Sequence, residues 1–189
     1  MECLKTRMNT TRQNWQLFSK NMSNDIIEHI IGLAGETQKA STFNDGDTKV
    51  RSSRVCWLSH YENVKDMLFA YADHANQNAF NVNLYKKADI QFTEYHASEG
   101  GHYDWHHDVN WLNADGFDRK LSITVQLSDP SEYEGGDFVF EEIESPKSEA
   151  AKPKGSVLVF PSYLKHKVTP VTKGVRRSLV AWFCGPQWQ

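Results

Sequence analysis

The sequence has few cysteines, almost no net charge and no long apolar run. Its three cysteines, Cys3, Cys56 and Cys184, are too few and too scattered for a disulfide framework. No apolar run approaches the roughly 20 residues that cross a bilayer, and residues 1–5 lack the apolar core of a secretion signal. Because 21 basic residues face 24 acidic ones, the chain also lacks the positive charge typical of nucleic-acid binding. These absences predict a soluble cytoplasmic protein whose partners include neither a membrane nor a nucleic acid.

The chain has the length of a single domain. Its 189 residues can bury a sizeable core, and they contain no repeat, low-complexity tract or linker. We therefore predict one domain over residues 1–189, with helical support in about residues 13–80 and the core motifs in about residues 90–185. Residues 1–12 are polar and are predicted to be loosely held.

Helical periodicity is confined to the first part of the chain. Ser23 is predicted to cap one helix, and Ser59 with Glu62 forms the capping box of a second. Short strands are predicted at residues 15–22 and 48–58. The apolar stripes of the two helices consist of Ile26, Ile27, Ile30, Ile31 and Leu33, and of Val64, Met67, Leu68, Tyr71 and Ala75.

From Asp89 onward the period changes from helical to strand-like. Polar residues then alternate with apolar ones in two segments: Gln91, Thr93 and Tyr95 with Ile90 and Phe92, and Ser122, Thr124 and Gln126 with Leu121, Ile123, Val125 and Leu127. In a two-sheet sandwich the polar set can face the interior or the solvent, and the alternation leaves both open. Residues 141–154, rich in glutamate and lysine, are predicted to form a solvated loop.

The densest group of potential metal ligands lies in residues 102–108. It contains two His-x-Asp pairs, His102 with Asp104 and His106 with Asp108. Residues i and i+2 of a strand share one face, so either pair could offer an imidazole and a carboxylate to one metal. Two histidines and one carboxylate form the facial triad of non-heme iron(II) oxygenases, which leaves positions open for oxygen and a co-substrate. The spacing alone does not choose between the two pairs.

A candidate for the third ligand follows the apolar run 155–162, which is bounded by Gly and Pro and predicts a buried strand. His166 lies on the next extended segment, and Pro170 and Gly174 are predicted to mark a turn after it.

The strand predicted at residues 176–183 carries a potential anion receptor. Arg176 and Ser178 share one face of this strand, and Arg177 lies on the other. A guanidinium beside a hydroxyl is well suited to hold a carboxylate, because the fork of parallel N–H donors gains a third donor.

In order and spacing, these motifs resemble the iron(II)- and 2-oxoglutarate-dependent dioxygenase superfamily, and within it the prolyl-4-hydroxylase-like group. The resemblance rests on His106-x-Asp108, on His166, and on Arg176-x-Ser178 beginning ten residues later. This chain has Arg176 where many prolyl hydroxylases have lysine. Supporting similarities cover Glu94-Tyr95 before Gly100-Gly101, Tyr103, residues 119–128 and 133–137, and more weakly residues 51–58.

The resemblance chooses between the two His-x-Asp pairs. The family has an aromatic residue three positions before the first metal-binding histidine, and Tyr103 fits that place for His106. The resemblance therefore implies His106, Asp108 and His166 as the catalytic iron ligands. It leaves His102, Asp104 and His107 without an assigned role.

The resemblance also implies the cofactors and the fold. Iron(II) would bind the triad and 2-oxoglutarate would be the co-substrate, and the resemblance leaves room for ascorbate as a further cofactor. The implied fold is mainly β (α+β), a double-stranded β-helix or jelly-roll core supported by N-terminal helices, with the polar set Ser122, Thr124 and Gln126 facing inward. The residues implied to contact 2-oxoglutarate are Arg176 and Ser178 at its distal carboxylate, with Tyr95, Tyr103 and Gln126 as further hydrogen-bond donors.

The activity implied by the resemblance is hydroxylation of an amino-acid residue, prolyl in the first instance, in a peptide or protein with O2 as the oxidant. One alternative is the same chemistry on a small molecule or a nucleobase. Nucleobase dealkylases of the superfamily carry a further arginine six residues after the first, where this chain has Trp182. The other alternative is a non-catalytic barrel that binds metal.

Overall fold

The computed structural model describes residues 13–40, 50–112 and 114–189. The predicted behaviour of residues 1–12 and the start of the predicted strand 48–58 lie outside these ranges. Within them the chain forms three α-helices, α1 (Asn24–Leu33), α2 (Glu62–Ala75) and α3 (Ser148–Ala151). The strands in the same ranges are β1 (Gln16–Phe18), β2 (Gln38–Lys39), β3 (Arg51–Ser52), β4 (Arg54–Trp57), β5 (Ala88–His96), β6 (His102–His106), β7 (Phe117–Gln126), β8 (Tyr133–Gly135), β9 (Phe138–Phe140), β10 (Val157–Pro161), β11 (His166–Val168) and β12 (Val171–Pro186).

Helix α1 forms as its sequence predicts. The Ser23 hydroxyl caps it by accepting a hydrogen bond from the backbone N–H of Ile26 at 3.5 Å. Ile27 and Ile30 are fully buried, as the apolar stripe requires, whereas the Ile26 side chain is 39% exposed. The stripe that faces the core is therefore narrower than predicted.

Helix α2 is confirmed, but its predicted capping box is wrong. The helix begins at Glu62 after Tyr61, which makes no side-chain capping bond. The Ser59 hydroxyl instead accepts the backbone N–H of Ile90 at 2.9 Å, which ties the entrance of the helix to strand β5. A tertiary contact thus replaces the local cap. The residues of α2 that are buried in the core are Val64, Leu68, Ala72 and Ala75.

Two antiparallel sheets build the rest of the molecule. The larger sheet has the order β1-β10-β7-β12-β5-β4-β2, with β8 paired to the first part of β12, and the smaller has the order β3-β6-β11-β9. Helices α1 and α2 share one apolar core with the larger sheet. The result is the mainly β, jelly-roll type of architecture that the sequence predicts.

The alternation along the central strands separates this core from a polar interior. On β7, Ile123 and Val125 are fully buried in the core shared with the helices. Their neighbours on the opposite face, Ser122 and Gln126, are also buried and face the gap between the sheets, as does half-buried Thr124. The inward orientation predicted for the polar set is therefore the one found.

The turn predicted between Pro170 and Gly174 is wrong, because β12 runs without interruption from Val171 to Pro186. Its pairing register with β8 shifts between Val171 and Lys173, so the irregularity is a bulge. Gly174 has φ +69°, and a Cβ there would lie 1.9 Å from the carbonyl oxygen of Glu132. Gly174 follows this bulge and is paired with Tyr133, and glycine meets both demands of its position, positive φ and close backbone approach, without a turn.

The remaining expectations concern exposed segments. Of residues 141–154, six are exposed, seven are half-buried and Pro146 is buried, so the segment is less solvated than predicted, and four of its residues form the single helical turn α3. Across the described ranges, none of the helices has the length and apolar character needed to cross a membrane.

Candidate active site

Three side chains from the loop and strands of the smaller sheet converge at one point between the sheets. The Nε2 atom of His106 lies 3.7 Å from Oδ1 of Asp108, and Nε2 of His166 lies 3.6 Å from Oδ2 of the same carboxylate. All three ligand atoms lie within 4.8 Å of one another. The register of the sheet explains this meeting, because His106 on β6 is paired directly with His166 on β11.

Backbone carbonyls fix the orientation of both histidine rings. Nδ1 of His106 lies 2.7 Å from the carbonyl oxygen of Asp104, and Nδ1 of His166 lies 2.8 Å from that of Leu164. A carbonyl oxygen only accepts, so each Nδ1 carries the proton and each Nε2 keeps a lone pair directed at the meeting point. Such bonds orient metal-binding histidines and raise their basicity.

The Asp108 carboxylate is held in place by a buried hydroxyl. The Ser122 hydroxyl donates to Oδ2 of Asp108 at 2.6 Å and lies 2.9 Å from the Ser162 hydroxyl, and the backbone N–H of Asp108 donates to the carbonyl of Ser162. Burial raises the pKa of the Asp108 carboxyl, but His166, His106 and the Ser122 hydrogen bond outweigh it, so the pKa lies below its ordinary value. The carboxylate is therefore ionised and ready to bind a cation.

Aromatic rings shield the two histidines from solvent. Tyr103 stacks on His106 with ring centres 3.5 Å apart, and Phe138 stacks on His166 at 5.0 Å. Burial and the neighbouring His166 lower the pKa of His106 to about 4. At neutral pH this imidazole is neutral, which is the state that a metal ligand requires.

The chemistry of this donor set fits a ferrous ion. Two imidazole nitrogens and one carboxylate oxygen on the same side of a metal leave further coordination positions for exogenous ligands, which is the facial-triad arrangement. His102 and Asp104 do not join the group. Nδ1 of His102 contacts the carbonyl oxygen of Gly100, and the exposed Asp104 carboxylate accepts the backbone N–H of Trp105.

A buried cation lies in the same cavity, in the position predicted for a carboxylate clamp. Arg176 is only 3% exposed, and its Nη1 lies 3.5 Å from the Ser178 hydroxyl. Among the described residues its Nε has no hydrogen-bond partner. A buried, unsatisfied guanidinium nitrogen is costly, so this residue is suited to an anionic ligand such as the distal carboxylate of 2-oxoglutarate. Gly136 leaves room for it, because a Cβ there would lie 2.8 Å from Cδ of Arg176.

The other predicted co-substrate contacts divide into two groups. Tyr95 and Tyr103 line the cavity together with Arg176, and the Arg176 guanidinium stands over the Tyr95 ring at 5.5 Å. Gln126 is buried beside them, but its side-chain amide donates to the hydroxyl of Tyr133. Gln126 therefore contacts Tyr133, whose hydroxyl also interacts with Arg176.

Sequence reasoning missed several residues of the site. It assigned no role to Tyr133, to Arg51, or to the contact of Ser122 with Asp108. The alternation pattern had marked Ser122, and Tyr133 belonged to a segment already noted for similarity. Arg51 lines the cavity from an edge strand, and it belonged to the segment 51–58 noted for weaker similarity, which gave it no role. Trp182 also lines the cavity, and its buried indole N–H has no partner among the described residues.

The comparisons with known proteins agree with this geometry. The sequence profile of the 2OG-Fe(II) oxygenase superfamily matches residues 90–184. A PKHD-type hydroxylase of Idiomarina loihiensis is 32% identical over 111 residues, covering 58% of this chain and 50% of that protein. A PKHD-type hydroxylase of a Synechococcus species is 41% identical over 83 residues, covering 44% and 36%. The matched segments thus span half of these relatives' length or less.

Solved structures share the fold at low sequence identity. A prolyl-4-hydroxylase of Pseudomonas putida has a TM-score of 0.67 and 19% identity, covering 90% of this chain and 92% of that one. A Trichoplax adhaerens prolyl hydroxylase, solved with a fragment of hypoxia inducible factor, has a TM-score of 0.69 and 14% identity, covering 90% and 83%.

The protein is a jelly-roll of the class that places a two-histidine, one-carboxylate metal site between two sheets. It belongs to the 2OG-Fe(II) oxygenase superfamily, whose cofactors are iron(II) and 2-oxoglutarate. Within that superfamily it is similar to the PKHD-type hydroxylases and to the prolyl-4-hydroxylase-like group.

Proposed function

We propose that this protein is an iron(II)- and 2-oxoglutarate-dependent hydroxylase that acts on a prolyl residue of a peptide or protein. The observation that carries the proposal is the presence of two complementary receptors in one cavity. The triad His106, Asp108 and His166 offers three metal ligands, and Arg176 offers a buried cation whose Nε has no partner among the described residues.

When iron, 2-oxoglutarate and O2 are bound, this chemistry replaces a C–H bond of the substrate by C–OH while 2-oxoglutarate leaves as succinate and CO2. The residues of the chain orient the metal and the co-substrate and balance their charges. Asp108 supplies the negative charge at the metal, and Ser122 keeps that carboxylate in one orientation. Arg176 and Ser178 hold the distal carboxylate of the co-substrate from one face of β12.

Aromatic residues support a substrate with an apolar ring. Trp182 and Tyr103 line the cavity near the triad, and Trp57 packs beside Trp182 with ring centres 6.2 Å apart. Proline has no side-chain donor or acceptor, so a wall of rings suits it. The solved structures with the same fold include proteins described as prolyl hydroxylases.

The first experiment measures succinate released by the purified protein with iron(II), 2-oxoglutarate, ascorbate and a peptide library. Mass spectrometry then identifies the peptide residue that gains one oxygen. The matched negative control is Asp108→Ala, which keeps the fold but removes the charged ligand. Arg177→Ala serves as a positive control, because Arg177 lies on the opposite face of β12 and contacts Glu94.

Each outcome has a clear meaning. Peptide-dependent succinate together with hydroxyproline supports the whole proposal. Oxygen added to another residue, or to a nucleobase or small molecule in a parallel screen, keeps the reaction class and rejects the prolyl substrate. Succinate release no greater than that of Asp108→Ala under all of these conditions rejects the enzyme and favours a non-catalytic metal-binding barrel.

A further inference from the structure

A second arginine reaches the cavity from the side opposite to β12. Arg51 lies on β3 and is paired with Tyr103 of β6. Its side chain crosses the gap between the sheets, with Nη2 donating to the Gln91 side chain on β5 at 2.8 Å and Nε donating to the Ser53 hydroxyl at 2.8 Å. Arg51 is half-buried and lines the same cavity as the triad. Solutes that enter the cavity can therefore reach it.

Arg51 stands close to the metal ligands. Its guanidinium carbon lies 4.6 Å from the centre of the Tyr103 ring, which in turn lies 3.5 Å from the centre of the His106 ring. The guanidinium is thus separated from a metal ligand by a single aromatic ring.

The positive charge of Arg51 has no negatively charged partner in the described part of the structure. Its two hydrogen bonds go to a neutral amide and a neutral hydroxyl, and it forms no ion pair with a described carboxylate. The other charges of the loaded cavity cancel. Iron(II) and Arg176 contribute three positive charges, and Asp108 and the dianion of 2-oxoglutarate contribute three negative ones. Among the described residues that line the cavity, one positive charge, that of Arg51, remains.

The register of the strands argues against Arg51 as a second clamp for 2-oxoglutarate. Arg176 is paired with Tyr95, whereas Gln91, the partner of Arg51, is paired with Val180. Four residues along a strand correspond to about 13 Å. Arg51 therefore meets β5 at a different level of the sheet from Arg176.

We infer that Arg51 is a specificity-determining residue that binds a carboxylate of the substrate close to the hydroxylated position. This inference rests on the proposed oxygenase function, because the charge balance includes iron and 2-oxoglutarate. A guanidinium fork recognises a carboxylate with charge-assisted hydrogen bonds. The carboxylate belongs to an aspartate or glutamate side chain or to a chain terminus, and the test separates these two sources.

The experiment measures binding rather than turnover. Protein loaded with Mn(II) and 2-oxoglutarate is incubated with pooled hexapeptides, and mass spectrometry quantifies the peptides retained. One pair of pools carries Asp or isosteric Asn at the third position, with all others random. A second pair carries a C-terminal acid or amide. No position is fixed as proline, so the comparison does not depend on which residue is hydroxylated.

Wild-type protein is expected to retain at least one acidic pool roughly 5-fold better than its neutral partner, a modest effect for a charge-assisted bond at a half-buried site. Arg51→Gln should abolish this ratio, and Arg51→Glu should invert it in favour of the neutral pool of the pair. The matched control is Arg54→Gln, which removes the same charge from a neighbouring strand where Arg54 pairs with Glu99 at the surface. This control should keep the wild-type ratio.

Two results would overturn the inference. The first is equal retention within both pairs of pools by the wild-type protein, or an acidic preference that survives in Arg51→Gln. The second is a large rise in the 2-oxoglutarate dissociation constant of Arg51→Gln, measured anaerobically from the absorption band of the iron complex. That rise would place Arg51 in the co-substrate site. A wild-type protein that shows no such band at all would instead refute the proposed function.

Discussion

Each ligand side chain of the triad is held by a second contact that the sequence motif does not contain. Backbone carbonyls orient His106 and His166, and the Ser122 hydroxyl orients Asp108. The geometry of the metal site is therefore set by the strands before any ion arrives. Loss of such a supporting contact typically lowers metal affinity by about 10–100-fold. The supporting residues therefore belong to the metal site together with the ligands.

The choice between the two His-x-Asp pairs gives the first prediction. Asp108→Asn should weaken iron(II) binding at least about 100-fold, because the change removes a charged ligand rather than only a supporting contact. Asp104→Asn should leave binding unchanged, because the Asp104 carboxylate is exposed and only accepts the N–H of Trp105. Anaerobic titration with iron(II) measures both. A loss confined to Asp104→Asn would mean that the other pair binds the metal.

Arg176 and Arg177 give the second prediction. Arg176→Ala should raise the 2-oxoglutarate concentration needed for half-maximal succinate release by roughly 10-fold or more, since a charge-assisted bond contributes about 1.5–3 kcal/mol. Arg177→Ala should change this concentration less than about 2-fold, because Arg177 pairs with Glu94 on the other face of the sheet. Equal effects of the two changes would contradict the clamp assignment.

At the scale of helices and strands, the sequence predicts what depends on periodicity and misses what depends on tertiary contacts. The apolar stripes located both long helices, and the alternation located β5 and β7, although the family resemblance was needed to place their polar face in the interior of the sandwich. The capping box failed because Ser59 bonds Ile90, 31 residues away. The predicted turn at Gly174 failed because glycine at positive φ also allows a close backbone approach within a continuous strand, here to the carbonyl of Glu132.

The same distinction between local sequence patterns and tertiary contacts explains which residues of the candidate site could be predicted. The clamp and the His106-x-Asp108 pair were predictable because each is a short local motif, and the resemblance added His166 and resolved the choice between the two His-x-Asp pairs. The contacts of Tyr133 and Arg51 were not predictable, since they arise from the pairing of β8 with β12 and from a side chain that crosses between two sheets. Nothing in local sequence records which strands become neighbours.

Gly174 in β12 gives the third prediction. Gly174→Ala should lower the free energy of unfolding by more than about 2 kcal/mol, because strain at positive φ alone is about 1–2 kcal/mol and the Cβ also meets the carbonyl of Glu132. The matched control is Gly32→Ala in α1, where nothing lies within 4 Å of the added atom. This control should gain about 0.5–1 kcal/mol from helix propensity. Urea unfolding measures both, and a Gly174→Ala variant as stable as the wild type would contradict the close approach of Gly174 to the carbonyl of Glu132.

For the whole molecule, the buried site links stability to pH, and this gives the fourth prediction. In the metal-free protein the pKa of His106 is lowered to about 4 by burial and by His166, against an ordinary value of 6.5. Between these two pH values the unfolded chain binds a proton that the folded chain does not. The folded state therefore loses stability as the pH falls from about 6.5 to about 4, by a total on the order of 3 kcal/mol.

Urea unfolding in the presence of a chelator, at several pH values across this window, tests the linkage. His106→Gln removes the titrating group, so its stability should fall less steeply with pH than that of the wild type. Carboxylates such as Glu94, whose pKa is also perturbed, contribute equally to both proteins and cancel in the comparison. Parallel pH profiles for the two proteins would show that His106 titrates normally in the folded state.

The central position of β12 in the larger sheet affects how the chain behaves before folding is complete. This strand lies between β5 and β7 and is paired with both along most of its length. Until it arrives, each of these neighbours presents an open edge of unpaired N–H and C=O groups, and such edges recruit strands from other chains. During synthesis β12 emerges after both partners. We therefore expect aggregation, rather than loss of iron or 2-oxoglutarate binding, to be the main defect of variants that delay the docking of β12.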